Sequence, residues 1–241
     1  MTTTLFISDL HLCASRPRIN QLFFDFLGST ARDADELYIL GDFFEYWAGD
    51  DDINDPFNRS VIDAVAALTG RGVSVRLMHG NRDFLIGEKF CQAANVTLLQ
   101  DPTVIDLNGT RTLLLHGDTL CTDDIEYQKF RKQVRDPQWQ QQFLAQPLTR
   151  RKAIIEDLRR RSETEKQTKS MDIMDVTIAS VEAILREQQY PRLIHGHTHR
   201  PATLRHDIDG KPCERWVLRD WYESGSYLRC HGNELKAIQI D

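Results

Sequence analysis

The 241-residue sequence has no apolar run approaching the roughly 18 to 20 residues that a helix needs to cross a bilayer, which excludes a membrane span. Its start, Met1-Thr2-Thr3-Thr4-Leu5-Phe6-Ile7, lacks the basic residues, long apolar stretch and small-residue cleavage site of a secretory signal, so the cytoplasm is the expected compartment. No Cys-x-x-Cys pair occurs. The five cysteines (Cys13, Cys91, Cys121, Cys213 and Cys230) are odd in number and far apart, which argues against a disulfide framework and a zinc ribbon and leaves mostly buried small side chains. Apolar residues are not scarce: at 41% they exclude global disorder and suffice for one large core. A positive charge excess is also missing. The net charge of −6 argues against a nucleic-acid partner, although residues 126–170 alone carry +6 and leave −12 on the remainder.

Five segments share one design, a short apolar run followed at once by a glycine or polar cluster. They are Leu5-Phe6-Ile7 before Ser8-Asp9-Leu10-His11, Leu37-Tyr38-Ile39-Leu40 before Gly41-Asp42, and Val73 to Met78 before His79-Gly80-Asn81-Arg82-Asp83. Leu113-Leu114-Leu115 before His116-Gly117-Asp118 and Leu193-Ile194 before His195-Gly196-His197-Thr198-His199 complete the set. Runs of this length bounded by turn residues read as buried strands. Helical spacing over 18–27 (Ile19, Leu22, Phe23, Phe26) and 58–68 (Val61, Ile62, Val65, Leu68) places helices between the early strands. Strand, helix, strand in succession predicts a largely parallel sheet whose polar loops converge at the carboxyl ends of the strands.

After His199 the runs at 216–218, 226–230 and 235–240, separated by Asp209-Gly210 and His231-Gly232-Asn233, predict hairpin-linked strands of a second, partly antiparallel sheet that closes a sandwich. Between about 123 and 190, Phe130 and Val134, Trp139 and Phe143, and Ile154, Ile155 and Leu158 recur at helical spacing, with Pro137 and Pro147 as breaks and a longer helix through Met174, Ile178, Val181 and Leu185. The chain therefore divides into a core segment 1–122, a basic helical insertion 123–190 and a second core segment 191–241.

The strand ends collect Asp9, His11, Asp42, Asn81, His116, His197 and His199. Carboxylate, imidazole and one amide oxygen make a mixed shell that suits manganese, iron or zinc rather than a structural zinc site. Seven side chains exceed one first-row ion; with Asp42 shared they divide into two four-ligand sites with positions left for water and substrate, the two-ion arrangement used for phosphoryl transfer.

Asp9-x-His11, Gly41-Asp42, Gly80-Asn81-x-Asp83, His116-Gly117 and Gly196-His197-Thr198-His199, in this order, resemble the calcineurin-like metallophosphoesterase family. The resemblance implies an α/β fold of the four-layer αββα sandwich type with a helical lid, and two divalent ions, expected to be manganese. It places Asp9, His11, Asp42 and His199 around one ion, and Asp42, Asn81, His116 and His197 around the other. The runs 80–85, 116–124 and 194–201 and the insertion ending Ser170 to Asp175 narrow the likeness to the lipid A branch of the family. That branch implies UDP-2,3-diacylglucosamine as substrate, water attack on the α-phosphorus, release of UMP and 2,3-diacylglucosamine 1-phosphate, and reversible contact with the cytoplasmic face of the inner membrane. It implies catalytic roles for Asp42, Asn81, Arg82 and His197, and substrate contacts from Asn81, Arg82, Asp124, Ser162, Lys166, Lys169 and His197.

One departure bears on the substrate. Where the family usually has histidine after the asparagine, this sequence has Arg82, which gives up no proton at neutral pH but stabilises an anionic phosphate leaving group by bidentate contact. A pyrophosphate substrate fits that exchange. A phosphodiesterase or nucleotide pyrophosphatase for a soluble substrate, and a non-catalytic scaffold, are the alternatives; a scaffold has little reason to keep all seven ligands. The remaining polar clusters read as structural: His79 and His195 point toward the sheet, His206 and His231 lie in turns, Asp50-Asp51-Asp52 is a solvated loop, and Asp123 or Asp124 caps a helix.

Overall fold

The computed structural model describes residues 2–168 and 175–241, with side chains for all of these except 161–168. The strands in chain order are β1 (Thr3–Ile7), β2 (Glu36–Leu40), β3 (Ser74–Met78), β4 (Thr97–Leu99), β5 (Thr103–Leu107), β6 (Thr110–Leu115), β7 (Arg192–His195), β8 (Ala202–Ile208), β9 (Lys211–Val217), β10 (Gly225–His231) and β11 (Glu234–Ile240). The helices are α1 (Pro17–Gly28), α2 (Pro56–Thr69), α3 (Glu88–Ala94), α4 (Ile125–Val134), α5 (Pro137–Leu144), α6 (Leu148–Thr168) and α7 (Ile178–Glu187). Proline opens α1, α2 and α5, where its missing N–H costs nothing, and Asp55 and Asp136 cap the latter two through Phe57 and Asn58, and through Gln138 and Trp139.

Two sheets stack face to face, in the orders β11-β10-β1-β2-β3-β4 and β5-β6-β7-β9-β8. Strand alternation sorts side chains between three cores. On β1, Leu5 and Ile7 point to the α1–α3 side while Phe6 points between the sheets; on β2, Leu37 and Ile39 oppose Tyr38 and Leu40 in the same way. In the second sheet Leu114 and Ile194 enter the central core, whereas Leu113, Leu115 and Leu193 meet Val181 and Leu185 of α7. Burial on both faces is why these strands read as unbroken apolar runs. The result is four layers, αββα.

The last strands depart from expectation. β10 and β11 extend the first sheet, β10 pairing antiparallel with β1 from Thr3↔His231 to Phe6↔Leu228, while β6 and β7 belong to the second sheet. Which sheet a strand joins depends on long-range partners, and both choices satisfy the same local alternation. Asn108-Gly109 (φ 51° and 84°), a pair suited to a tight hairpin turn, joins β5 and β6. His206 lies within β8 and His231 is the last residue of β10, so neither is in a turn. Phe143 is buried in the first core, with Trp139, Ile154 and Ile155 packed against it, so α5 and α6 rest on the body of the protein.

Candidate metal centre

All seven predicted ligands lie at carboxyl ends of strands: Asp9 and His11 beyond β1, Asp42 beyond β2, Asn81 beyond β3, His116 beyond β6, His197 and His199 beyond β7. Face-to-face stacking brings the two rims together. Asp9, His11, Asp42, His197 and His199 all have left-handed backbone, with φ between 50° and 70°. Such conformations are uncommon away from glycine and cluster at functional sites. The turn they impose lets both members of Asp9-x-His11 and of His197-x-His199 face one side. Adjacent glycines allow the loops to meet: a Cβ on Gly80 would overlap the amide and carboxylate of Asp42, and one on Gly196 the Asp9 carboxylate and Ser8 hydroxyl.

Asp42 stands between the two halves, with Oδ2 3.8 Å from His11 Nε2 and Oδ1 3.8 Å from His116 Nε2. Asp9 Oδ1 lies 3.3 Å from His199 Nε2, and Asn81 Oδ1 lies 3.1 Å from His116 Nε2. Two triads have ligand atoms close enough to share an ion: Asp9, His11 and His199, and Asp9, Asp42 and His116. Three imidazoles are set the same way. His116 Nδ1 donates to Leu40 O at 2.9 Å, His11 Nδ1 faces Glu45 Oε2 at 3.3 Å and His199 Nδ1 faces Asp220 Oδ2 at 3.8 Å, which leaves each Nε2 directed into the centre.

This donor set fits divalent cations. Asp9 Oδ1 and His11 Nε2, both facing the centre, are buried without a hydrogen bond, a costly state for a protein interior unless something else meets them. Burial works against charge on His116, yet Asp42, Asp9 and Asp118 carry its pKa up to about 9. The field that draws a proton there is one that a cation would neutralise. Burial also opposes ionisation of Asp9, but His199, His116 and His11 hold its carboxyl well below the usual range. His197 is pushed down to about 4 by desolvation with His116 adding to it, so it presents a neutral imidazole, the ligating form.

Several residues around the ligands were not singled out from sequence. Buried Asp83 accepts from Gly80 N at 2.8 Å and Phe43 N at 2.7 Å, tying the β2 and β3 loops together. Burial and the Asp42 charge push it up to about 6. Glu45 faces His11, Arg82 and Arg159; burial would raise its pKa, but His11 and the two arginines hold it down to about 2. Tyr127 of α4 stacks on His197 with centroids 6.0 Å apart and donates to Asp118 at 2.7 Å, where Arg131 also donates. Tyr222 lies parallel to the His11 ring at 5.2 Å. Arg16 joins the two loops behind it by donating to Leu10 O, His11 O and Trp221 O. Asp83 sits in the Gly80-Asn81-x-Asp83 motif, though without an assigned role; the others belong to no compact motif, so only their spatial neighbours reveal them.

Arg82 is drawn in by its backbone N–H, which donates to Asp42 Oδ1 at 2.8 Å. Asp124 caps α4 by accepting from Tyr127 N at 3.1 Å. Ser162 and Lys166 fall where α6 has no described side chains, and Lys169 lies outside the described residues. His79 and His195 are structural as expected, bonded to Ile86 O at 2.7 Å and Gly196 O at 2.9 Å. The Asp50-Asp51-Asp52 reading needs correction. Asp50 accepts from Trp47 Nε1, Gly87 N and Phe90 N, Asp51 pairs with Arg151, and Asp52 pairs with Lys152 at 2.7 Å. Asp50 and Asp52 hold α3 and α6, and Asp51 pairs with Arg151 from the surface; these partners lie 37 to 100 residues away in sequence, so the charge run alone reads as solvated.

Fold and centre together define a metal-dependent phosphoesterase. The calcineurin-like phosphoesterase model matches residues 2–201, and the chain belongs to that family. A UDP-2,3-diacylglucosamine hydrolase of Aromatoleum aromaticum is 56% identical over 230 residues, covering 95% of this chain and 94% of the relative. Relatives of the same name from Aeromonas salmonicida and Xanthomonas oryzae pv. oryzae are 52% and 51% identical, covering 98% and 99% of this chain and 93% and 99% of theirs.

Proposed function

We propose that the protein hydrolyses the pyrophosphate bond of UDP-2,3-diacylglucosamine, with water attacking the α-phosphorus to give UMP and 2,3-diacylglucosamine 1-phosphate in lipid A biosynthesis. Full-length similarity to UDP-2,3-diacylglucosamine hydrolases supports the substrate. The observation that carries the chemistry is the position of Asp42, one carboxylate oxygen facing His11 and the other facing His116. Two divalent ions, for which we propose manganese, would be held by Asp9, His11, Asp42 and His199 and by Asp42, Asn81, His116 and His197. Bound there they supply Lewis-acid charge and an acidified water.

The chain's own residues do the rest. Asn81 and His197 orient a phosphate over the centre, and Arg82 stabilises the negative charge that develops on the leaving phosphate without transferring a proton. Arg159 brings a second guanidinium to the same rim, 2.7 Å from Glu45. Asp124, Ser162, Lys166 and Lys169 are proposed to contact the sugar and phosphate from the insertion, residues 123–190, which is proposed to serve as a lid.

No helix among the described residues is long and apolar enough to cross a membrane. We assign reversible, peripheral contact with the cytoplasmic face of the inner membrane. Ile125 and Ile178, 62% and 61% exposed, open α4 and α7, and the segments leading into these helices are linked by the 2.7 Å contact between Thr122 and Thr177. With the basic insertion they offer the paired apolar and cationic features that anionic lipid attracts. The test is incubation with manganese and UDP-2,3-diacylglucosamine in oxygen-18 water. Label in UMP is expected; label in the sugar phosphate would contradict attack at the α-phosphorus, and turnover of soluble nucleotides alone would favour the soluble-substrate reading.

A further inference from the structure

We propose that Glu45 is a positioning residue that holds His11 with its Nε2 toward the metals and ties Arg82 and Arg159 to the same point, registering α6 on the metal centre. The inference rests on the proposed metal-dependent hydrolysis and extends it to a residue outside the ligand set.

Glu45 is 7% exposed, in the loop beyond β2. Its place is set by backbone pairing between two site loops: His11 N donates to Asp42 O, Leu12 N to Phe43 O, and Glu45 N to Leu12 O, each at 3.0 Å. A left-handed His11 on one strand of this pairing and Glu45 three residues beyond Asp42 on the other bring imidazole and carboxylate together.

The two carboxylate oxygens divide the work. Oε2 faces His11 Nδ1 at 3.3 Å, and Oε1 meets Arg159 Nη2 at 2.7 Å with Arg82 Nη1 at 4.0 Å. An imidazole keeps its proton on the nitrogen that faces an anion, which frees the opposite nitrogen as a ligand. For His116 a backbone carbonyl, Leu40 O, performs that task. For His11 the group facing Nδ1 is a side-chain carboxylate, and that carboxylate also meets Arg159 of α6, more than a hundred positions away. Tyr222, parallel to the His11 ring at 17°, restrains its tilt and leaves in-plane rotation to Glu45. Arg159 is further restrained by the Tyr46 ring at 5.9 Å. One buried carboxylate thus links metal ligation to placement of two phosphate-seeking guanidinium groups.

The test compares chelator-stripped wild type with Glu45→Gln, which keeps the shape and removes the charge. Manganese titration by calorimetry is expected to show affinity weakened about 10- to 100-fold, the range for loss of a partner behind a metal ligand. At saturating manganese, kcat on bis(p-nitrophenyl) phosphate should fall, while KM for UDP-2,3-diacylglucosamine should also rise. Arg159→Met should raise that KM, and combining it with Glu45→Gln should add less than the two separate effects. If Glu45→Gln does not fold, Glu45→Asp, which keeps charge but shortens reach, carries the same expectations at smaller size. Unchanged manganese affinity, or fully additive effects on KM, would overturn the proposal. The calorimetric arm reads out even if the wild type ignores the diacylated substrate, so failure of the functional reading is separable from failure of this one.

Discussion

The guanidinium of Arg151, on α6, occupies the space that any side chain on Gly49 would need. Gly49 has φ of 125°, and Arg151, 1% exposed, donates to Ala48 O, Asp51 and Gln146 O. A cation this deeply buried persists because its donors are met by a carbonyl cage and a carboxylate. The pair anchors α6 to the loop beyond β2. Gly49→Ala should both strain the backbone and displace Arg151, lowering unfolding free energy by about 2 to 4 kcal/mol in urea titrations. Unchanged stability would mean the anchor tolerates a side chain and does not fix α6.

Asp42 faces both halves of the centre, so Asp42→Ala should release both ions and reduce turnover by orders of magnitude. The strand beneath it is held by burial of Leu37, Tyr38, Ile39 and Leu40, and circular dichroism should stay unchanged. Elemental analysis showing two tightly bound ions and a near-normal rate would refute the bridging role.

Arg82 lies at the rim with its backbone on Asp42 and its guanidinium near Glu45. Arg82→Ala should cost about 2 to 4 kcal/mol of transition-state free energy, the scale for losing one electrostatic donor. Arg82→His should bring no gain on the pyrophosphate, because a phosphate leaving group needs no proton. A marked gain would show that proton donation limits the rate.

Folding stability should fall as the medium is acidified from pH 7 to pH 5, partly through His79. Desolvation holds this imidazole down to about 4 against 6.5 when unfolded, and its Nε2–H donates to Ile86 O. Between these values the unfolded chain binds a proton that the folded chain refuses, so its contribution is present above pH 6.5 and lost as pH falls toward 4. The part lost by pH 5 is about 2 kcal/mol. Urea unfolding of His79→Gln, which keeps a donor without titrating, should show a shallower pH dependence; equal slopes would show that His79 titrates normally in the folded state.

The gathering of the seven candidate ligands at strand ends was legible in the sequence because each follows an apolar run, and a parallel strand buried on both faces must be such a run with its polar loop at the carboxyl end. The conformations at Asp9 and His197 and the glycines at 80 and 196 are local consequences of the same short motifs. The tertiary structure alone decided that β10 and β11 complete the first sheet, since either sheet satisfies their alternation. It also decided that Asp50 and Asp52 turn onto α3 and α6 while the exposed Asp51 pairs with Arg151, and that Glu45 faces both His11 and Arg159. Those partners are far apart in sequence, 34 residues for Glu45 and His11, 100 for Asp51 and Arg151, and 114 for Glu45 and Arg159. Sequence periodicity reports which face of an element is buried; which distant side chain meets a buried charge is settled only when the elements pack.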